Sequence, residues 1–88
     1  MAKLFYPDGR IEEVNPVGRK FTLEELQTLV GGYIQIVPGA GQRGHLVYCD
    51  EDGKVKGAEP NPKATEEALR RGWKRLPGDV LVGCVLFT

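Results

Sequence analysis

Metal-ligating chemistry is scarce in this chain. It holds one histidine and two cysteines, and these form no C-x-x-C or H-x-x-x-H pair. Structural zinc sites rarely lack one, so no metal or other cofactor is expected. Excess charge is missing too: 12 Lys and Arg balance 12 Asp and Glu, and no net charge draws the chain to nucleic acid or lipid. No apolar run approaches the ~18 residues of a membrane span. The opening Met1–Tyr6 has neither the apolar core nor the cleavage site of an export signal. Cys49 and Cys84 both sit in apolar β-type runs. Reduced, buried thiols in a cytoplasmic protein are therefore expected.

What is present reads as one small domain spanning residues 1–88. At 88 residues a chain buries roughly 60–65% of its unfolded surface, enough to fold alone with little margin. Phe21–Val37 organises it. Thr22 and Glu25 have the spacing of a capping box, and Phe21 and Leu26 that of a hydrophobic staple. Leu23, Leu26, Leu29 and Val30 form an apolar stripe. Gly31-Gly32 stops the helix, and a strand over Tyr33–Val37 follows at once.

Upstream, Lys3–Tyr6 and Ile11–Val14 flank Pro7-Asp8-Gly9 and predict a hairpin. Downstream, His45–Cys49 is β-type and Asp50–Gly53 is a turn into a short segment, Lys54–Gly57. Glu59–Lys63 reads as rigid and non-helical because of its prolines. Thr65 is expected to cap a second helix, with Glu66 and Glu67 at its positive end, Arg70 and Arg71 at its negative end, and Gly72 as its stop. Val80–Phe87 is apolar on both alternating faces, as a central strand covered on each side would be. Gly83 within it suggests a bulge or a close backbone approach. The order β-β-α-β-β-(β)-α-β predicts an α+β fold with two helices against a largely antiparallel sheet.

Gly39-Ala40-Gly41-Gln42-Arg43-Gly44 matches G-x-G-x-x-G after a strand. The dinucleotide motif requires a helix next, and His45–Cys49 is β-type instead. The stretch reads as a hairpin connection or as an anion-contacting loop in which Arg43 assists backbone N–H groups. Asp50–Gly53 lacks the terminal Glu of a calcium loop, since Asn61 stands at that position. His45 and Cys49 fall on one strand face by alternation, but no orienting acid can be assigned to a nucleophilic pair. Arg70-Arg71-Gly72-Trp73-Lys74-Arg75 is basic with one aromatic. It reads either as a solvated face under a packing Trp73 or as a patch that holds phosphates while Trp73 stacks on a base.

Three segments taken together resemble a known family: Leu23–Val37, Cys49–Thr65 and Gly78–Gly83. It comprises small domains of unknown function carried by phages, plasmids and bacterial genomes. The shared pattern is a helix ending V-G-G-Y-I, a D-E-x-G-K turn, a P-N-x-x-A-T loop and a G-D-V-L-V-G strand. The resemblance implies an accessory role on a mobile element and no particular activity. The expected function is a non-enzymatic module binding a partner protein or a small anionic ligand, with homodimerisation an added expectation. Candidate ligand contacts are Gly39, Gly41, Arg43 and Gly44, with Tyr33 or Asn61 in support; Asn61 reads otherwise as the cap of a backbone. The alternatives are nucleic-acid association through Arg70, Arg71, Trp73, Lys74 and Arg75, and a small enzyme using His45 or Cys49.

Overall fold

A computed structural model of the chain describes residues 2–40 and 44–88. Five strands and two helices follow in the order β1 (Ala2–Phe5), β2 (Ile11–Val14), α1 (Leu23–Val30), β3 (Ile34–Ile36), β4 (Val47–Asp50), α2 (Pro62–Arg70) and β5 (Val85–Phe87). The strands form one sheet ordered β2-β1-β5-β4-β3, and every neighbouring pair is antiparallel. The α+β expectation therefore holds. Lys54–Gly57 is turn rather than strand.

Strand alternation explains the layering. Val85 and Phe87 face one side with Ala64 and Ala68 of α2, while Leu86 faces the other with Leu26 and Val30 of α1. The helices thus cover opposite faces, and β5 is buried on both. That is the central strand the sequence implies, though a shorter one. Val80–Val82 are not part of it: Val82 makes a single bridge to Pro60. Gly83, at φ 70°, donates to the Glu59 carbonyl at 2.8 Å and turns the chain into the sheet.

The first helix forms as its cap predicts. Thr22 Oγ1 accepts from the Glu25 amide at 3.1 Å, and Glu25 returns the bond to the Thr22 amide at 2.8 Å. A further bond from the Val17 amide ties the preceding connector to Glu25. These backbone donors, Thr22 foremost, hold the Glu25 carboxyl below its ordinary pKa. Gly31 ends the helix at φ 88°. Leu23 departs from the stripe and is 59% exposed.

The second helix starts earlier than the sequence suggests. Asn61 is its cap and Pro62 its first residue. Proline suits that position because the first amide of a helix has no partner anyway. Thr65 lies inside the first turn, where its hydroxyl donates to the Asn61 carbonyl and accepts from the Leu81 amide. The Glu66-Glu67 pair consequently sits past the first turn. Glu67 instead binds Arg70 and Arg71 near the other end.

Among the described residues, no helix is long and apolar enough to cross a membrane.

Candidate functional site

Trp73–Val82 leaves the end of α2 and folds back over β3 and β4. Between this segment and the strands lies a groove of about 290 Å³, lined in part by Ile36, Pro38, Cys49, Trp73 and Leu76. Next to it, two glycine backbones come into contact. A Cβ on Gly39 would fall 2.8 Å from the Gly72 carbonyl oxygen, and one on Gly72 would fall 3.1 Å from that of Gly39. The chain after α2 can therefore lie close to the end of β3, where the Lys74 amide donates to the Pro38 carbonyl at 3.4 Å.

Trp73 is half-buried and packs on the α2-side core. It is also part of the groove lining. Lys54, Lys74 and Arg75 also belong to the lining, with Glu51 and Asp79 opposing them. Lys54 pairs with Asp79, and that bond, the first of several contacts, holds the Asp79 carboxyl below its ordinary pKa. Arg75 donates to the Asp79 backbone carbonyl at 2.8 Å. Neither Lys74 nor Arg75 forms an ion pair with another described residue. The lining is mostly apolar, with Lys54, Lys74 and Arg75 set against Asp50, Glu51 and Asp79.

Cys49 is buried on the floor. Desolvation, reinforced by Asp50, pushes its thiol up to about 11, so it stays protonated and a poor nucleophile at neutral pH. His45 precedes β4 and is exposed, with Nδ1 3.1 Å from the Thr88 carbonyl oxygen. The two residues occupy different surroundings: one lies in the core and the other is held at the chain's last residue. Cys49 and Cys84 are both free, and Cys84 is half-buried rather than buried. Among the described residues, no group of three or more His, Cys, Asp or Glu side chains is placed to hold a metal.

The remaining sequence candidates scatter. Gly39 and Gly44 both take positive φ, and neither is part of the groove lining. Gly41 and Arg43 lie outside the described residues. Tyr33 is 67% exposed and falls outside the groove lining. Asn61 is 1% exposed. Its amide donates to the carbonyls of Phe5 and Gly83 and accepts from the Ala64 amide, so its donors are spent internally and none is left for a ligand. Arg70 and Arg71 share the Glu67 carboxylate, and the Arg71 guanidinium lies 4.9 Å over the Phe87 ring. Of the basic segment, only Trp73, Lys74 and Arg75 converge on the groove.

Sequence reasoning missed the groove itself. Its one visible signal was an aromatic followed by two cations directly after a helix-stopping glycine.

The segments behind the family resemblance bond to one another. Asp50 and Lys56 meet Gly31 and Gly32, Lys54 meets Asp79, and Asn61 meets Gly83. Together these features define a small α+β domain in which one sheet is covered by a helix on each face and a groove opens at one sheet edge. Comparison with protein families matches residues 4–88 to the one described as "Domain of unknown function (DUF3846)". The chain belongs to this family. No curated protein and no solved structure matches it.

Proposed function

We propose that the domain is a non-enzymatic binding module whose groove takes a small anionic ligand with an apolar or planar body. The observation that carries this reading is the placing of Trp73 beside two cations, Lys74 and Arg75, neither of which forms an ion pair with a described residue, although the Asp79 carboxylate lies near enough to Arg75 to feel its charge. A mostly apolar slot with a few convergent polar groups is the usual form of a small-molecule site. The volume suits one ring system or one extended side chain. The resemblance to phage- and plasmid-borne domains supports an accessory role, and cyclic nucleotides are natural members of a test panel. The protonated state of Cys49 argues against the enzymatic alternative. The sharing of Glu67 by Arg70 and Arg71 weakens the nucleic-acid alternative.

Thermal unfolding against a panel of nucleotides, cyclic nucleotides and aromatic carboxylates tests the proposal. A ligand present at 100 times its Kd stabilises by about 2.7 kcal/mol, a shift of several degrees for a chain of this size. Lys74→Glu with Arg75→Glu should abolish that shift while leaving the unliganded Tm within a few degrees. No shift with any member at millimolar concentration overturns the reading. Retention on an oligonucleotide column that survives this double change but is lost on charge reversal at Arg70 and Arg71 would favour nucleic acid instead.

A further inference from the structure

We propose that the open edge of β3 takes an extended acidic segment of another protein, adding it as a sixth strand while one of its acidic side chains reaches Lys74 at the groove. The proposal rests on the groove being a binding site.

The backbone of β3 leads to it. Gln35 stands opposite Cys49 in the ladder. On either side of it, the Tyr33 carbonyl accepts from the Glu51 amide at 2.8 Å and the Val37 amide donates to the Val47 carbonyl at 2.9 Å. Antiparallel alternation then turns the N–H and C=O of Ile34 and Ile36 away from β4. These four groups have no partner among the described residues. Free backbone groups at alternate positions are what strand addition uses for affinity, with neighbouring pockets supplying specificity. Gln35 and Ile36 line the groove, so a side chain of an added strand would lie at its mouth.

Charge identifies the occupant. The opposite edge, β2, exposes Glu12 and Glu13, and charges of this kind blunt an edge against pairing. From Tyr33 to Pro38 no residue is charged. An unpaired cation stands instead at one end of this edge: the Lys74 amide bonds to the Pro38 carbonyl, and the Lys74 side chain lines the groove without an ion pair among the described residues. At the other end Lys56 is already paired with Asp50. The match is an extended segment with apolar residues to cover the exposed Ile36 and an acid at the end that meets Lys74. A second copy of β3 is a poorer occupant, because residues 33–38 offer no acid to Lys74.

The test is an NMR titration of the ¹⁵N-labelled full chain with a blocked heptapeptide alternating valine with aspartate or glutamate. Two N-methylated forms, one for each alternation of amides, are run beside it. Indole-3-acetate serves as a small anion that can enter the groove without forming a strand. The parent peptide should protect the Ile34 and Ile36 amides from exchange. One N-methylated form should bind at least tenfold more weakly and the other like the parent, and Lys74→Glu should weaken the parent at least tenfold. Ile34→Pro, outside the groove lining, removes an outward N–H without removing a ladder bond, as an edge strand tolerates, and should abolish peptide binding while sparing indole-3-acetate.

Equal affinity of all three peptides, or binding without protection at Ile34 and Ile36, overturns strand addition and leaves the groove reading standing. Indole-3-acetate binding with no peptide binding does the same. No binding by any probe overturns both readings. Concentration-dependent protection of Ile34 and Ile36 in the protein alone replaces the foreign segment with a second copy.

Discussion

Gly39 and Gly72 meet backbone to backbone, and neither has room for a side chain. The Cβ positions would lie 2.8 and 3.1 Å from the opposing carbonyl oxygens, at φ values of 76° and 105°. Gly39→Ala therefore carries both a conformational and a steric cost. Gly31 separates the two, because it has φ 88° and nothing within 4 Å of a Cβ. Urea denaturation should give a loss of about 1 kcal/mol for Gly31→Ala and about 2–3 kcal/mol for Gly39→Ala. Equal losses would mean that the glycine contact is not tight.

Asn61 joins three elements through one amide. Asn61→Ala leaves the buried Phe5 and Gly83 carbonyls without their donor and removes the cap of α2. The expected loss is roughly 2–5 kcal/mol, a large part of the total stability of a small domain. Asn61→Asp should cost at least as much at neutral pH, because a carboxylate would face two carbonyl oxygens. Denaturant midpoints and the dispersion of a ¹H–¹⁵N spectrum decide this. A mild effect of either change would show that these bonds are not formed in solution.

Lys56 serves a helix that has no basic residue in its own last turn. It bonds to the Gly31 carbonyl and pairs at 2.9 Å with Asp50, whose side chain is only 7% exposed. Lys56→Met leaves that carboxylate with only the Asp52 amide as donor and should cost roughly 1–3 kcal/mol, below the range for fully buried pairs because Lys56 itself is half exposed. A double-mutant cycle with Asp50→Asn should return a coupling above about 0.5 kcal/mol. Additivity would reduce the pair to a surface contact.

Cys49 gives stability an alkaline limit. Its folded thiol titrates near 11, above its ordinary value of 9.0, so between those values the unfolded chain holds fewer protons. Stability is fully present below about pH 9 and falls as pH rises toward 11, by up to about 2–3 kcal/mol. Cys49→Ala should flatten that slope. On the acid side the signs reverse. Glu25 and Asp79 have lowered carboxyl pKa values, so their contributions are present above the ordinary carboxylate range and fade as pH falls through it. Thiol labelling at neutral pH should reach half-buried Cys84 well before Cys49, and faster labelling of Cys49 would contradict its burial.

The parts legible in the sequence were those written locally. The Thr22–Glu25 box and the Gly31 stop are short-range codes, and β5 announced its double burial by apolar residues on both faces. The start of α2 is masked by two prolines that read locally as breakers, whereas Asn61-Pro62 is a cap followed by the one position that welcomes proline. The last strand was over-extended because Leu81 and Val82 bond to Thr65 and Pro60 instead of the sheet. The groove was invisible for another reason. Its walls come from residues 35–38 and 73–82, and no periodicity connects segments so far apart.

β5 comes after every other described element yet lies in the middle of the sheet, flanked by β1 and β4. The two hairpins that precede it share no strand pairing of their own, so each waits as half a sheet with an exposed apolar face. During synthesis, cooperative folding must be delayed until Val85–Phe87 clears the ribosome. Closing such long-range pairings also makes folding slow relative to a helical bundle of the same size. The nascent chain is therefore most prone to association just before β5 emerges, and it is at that stage that a chaperone would find it.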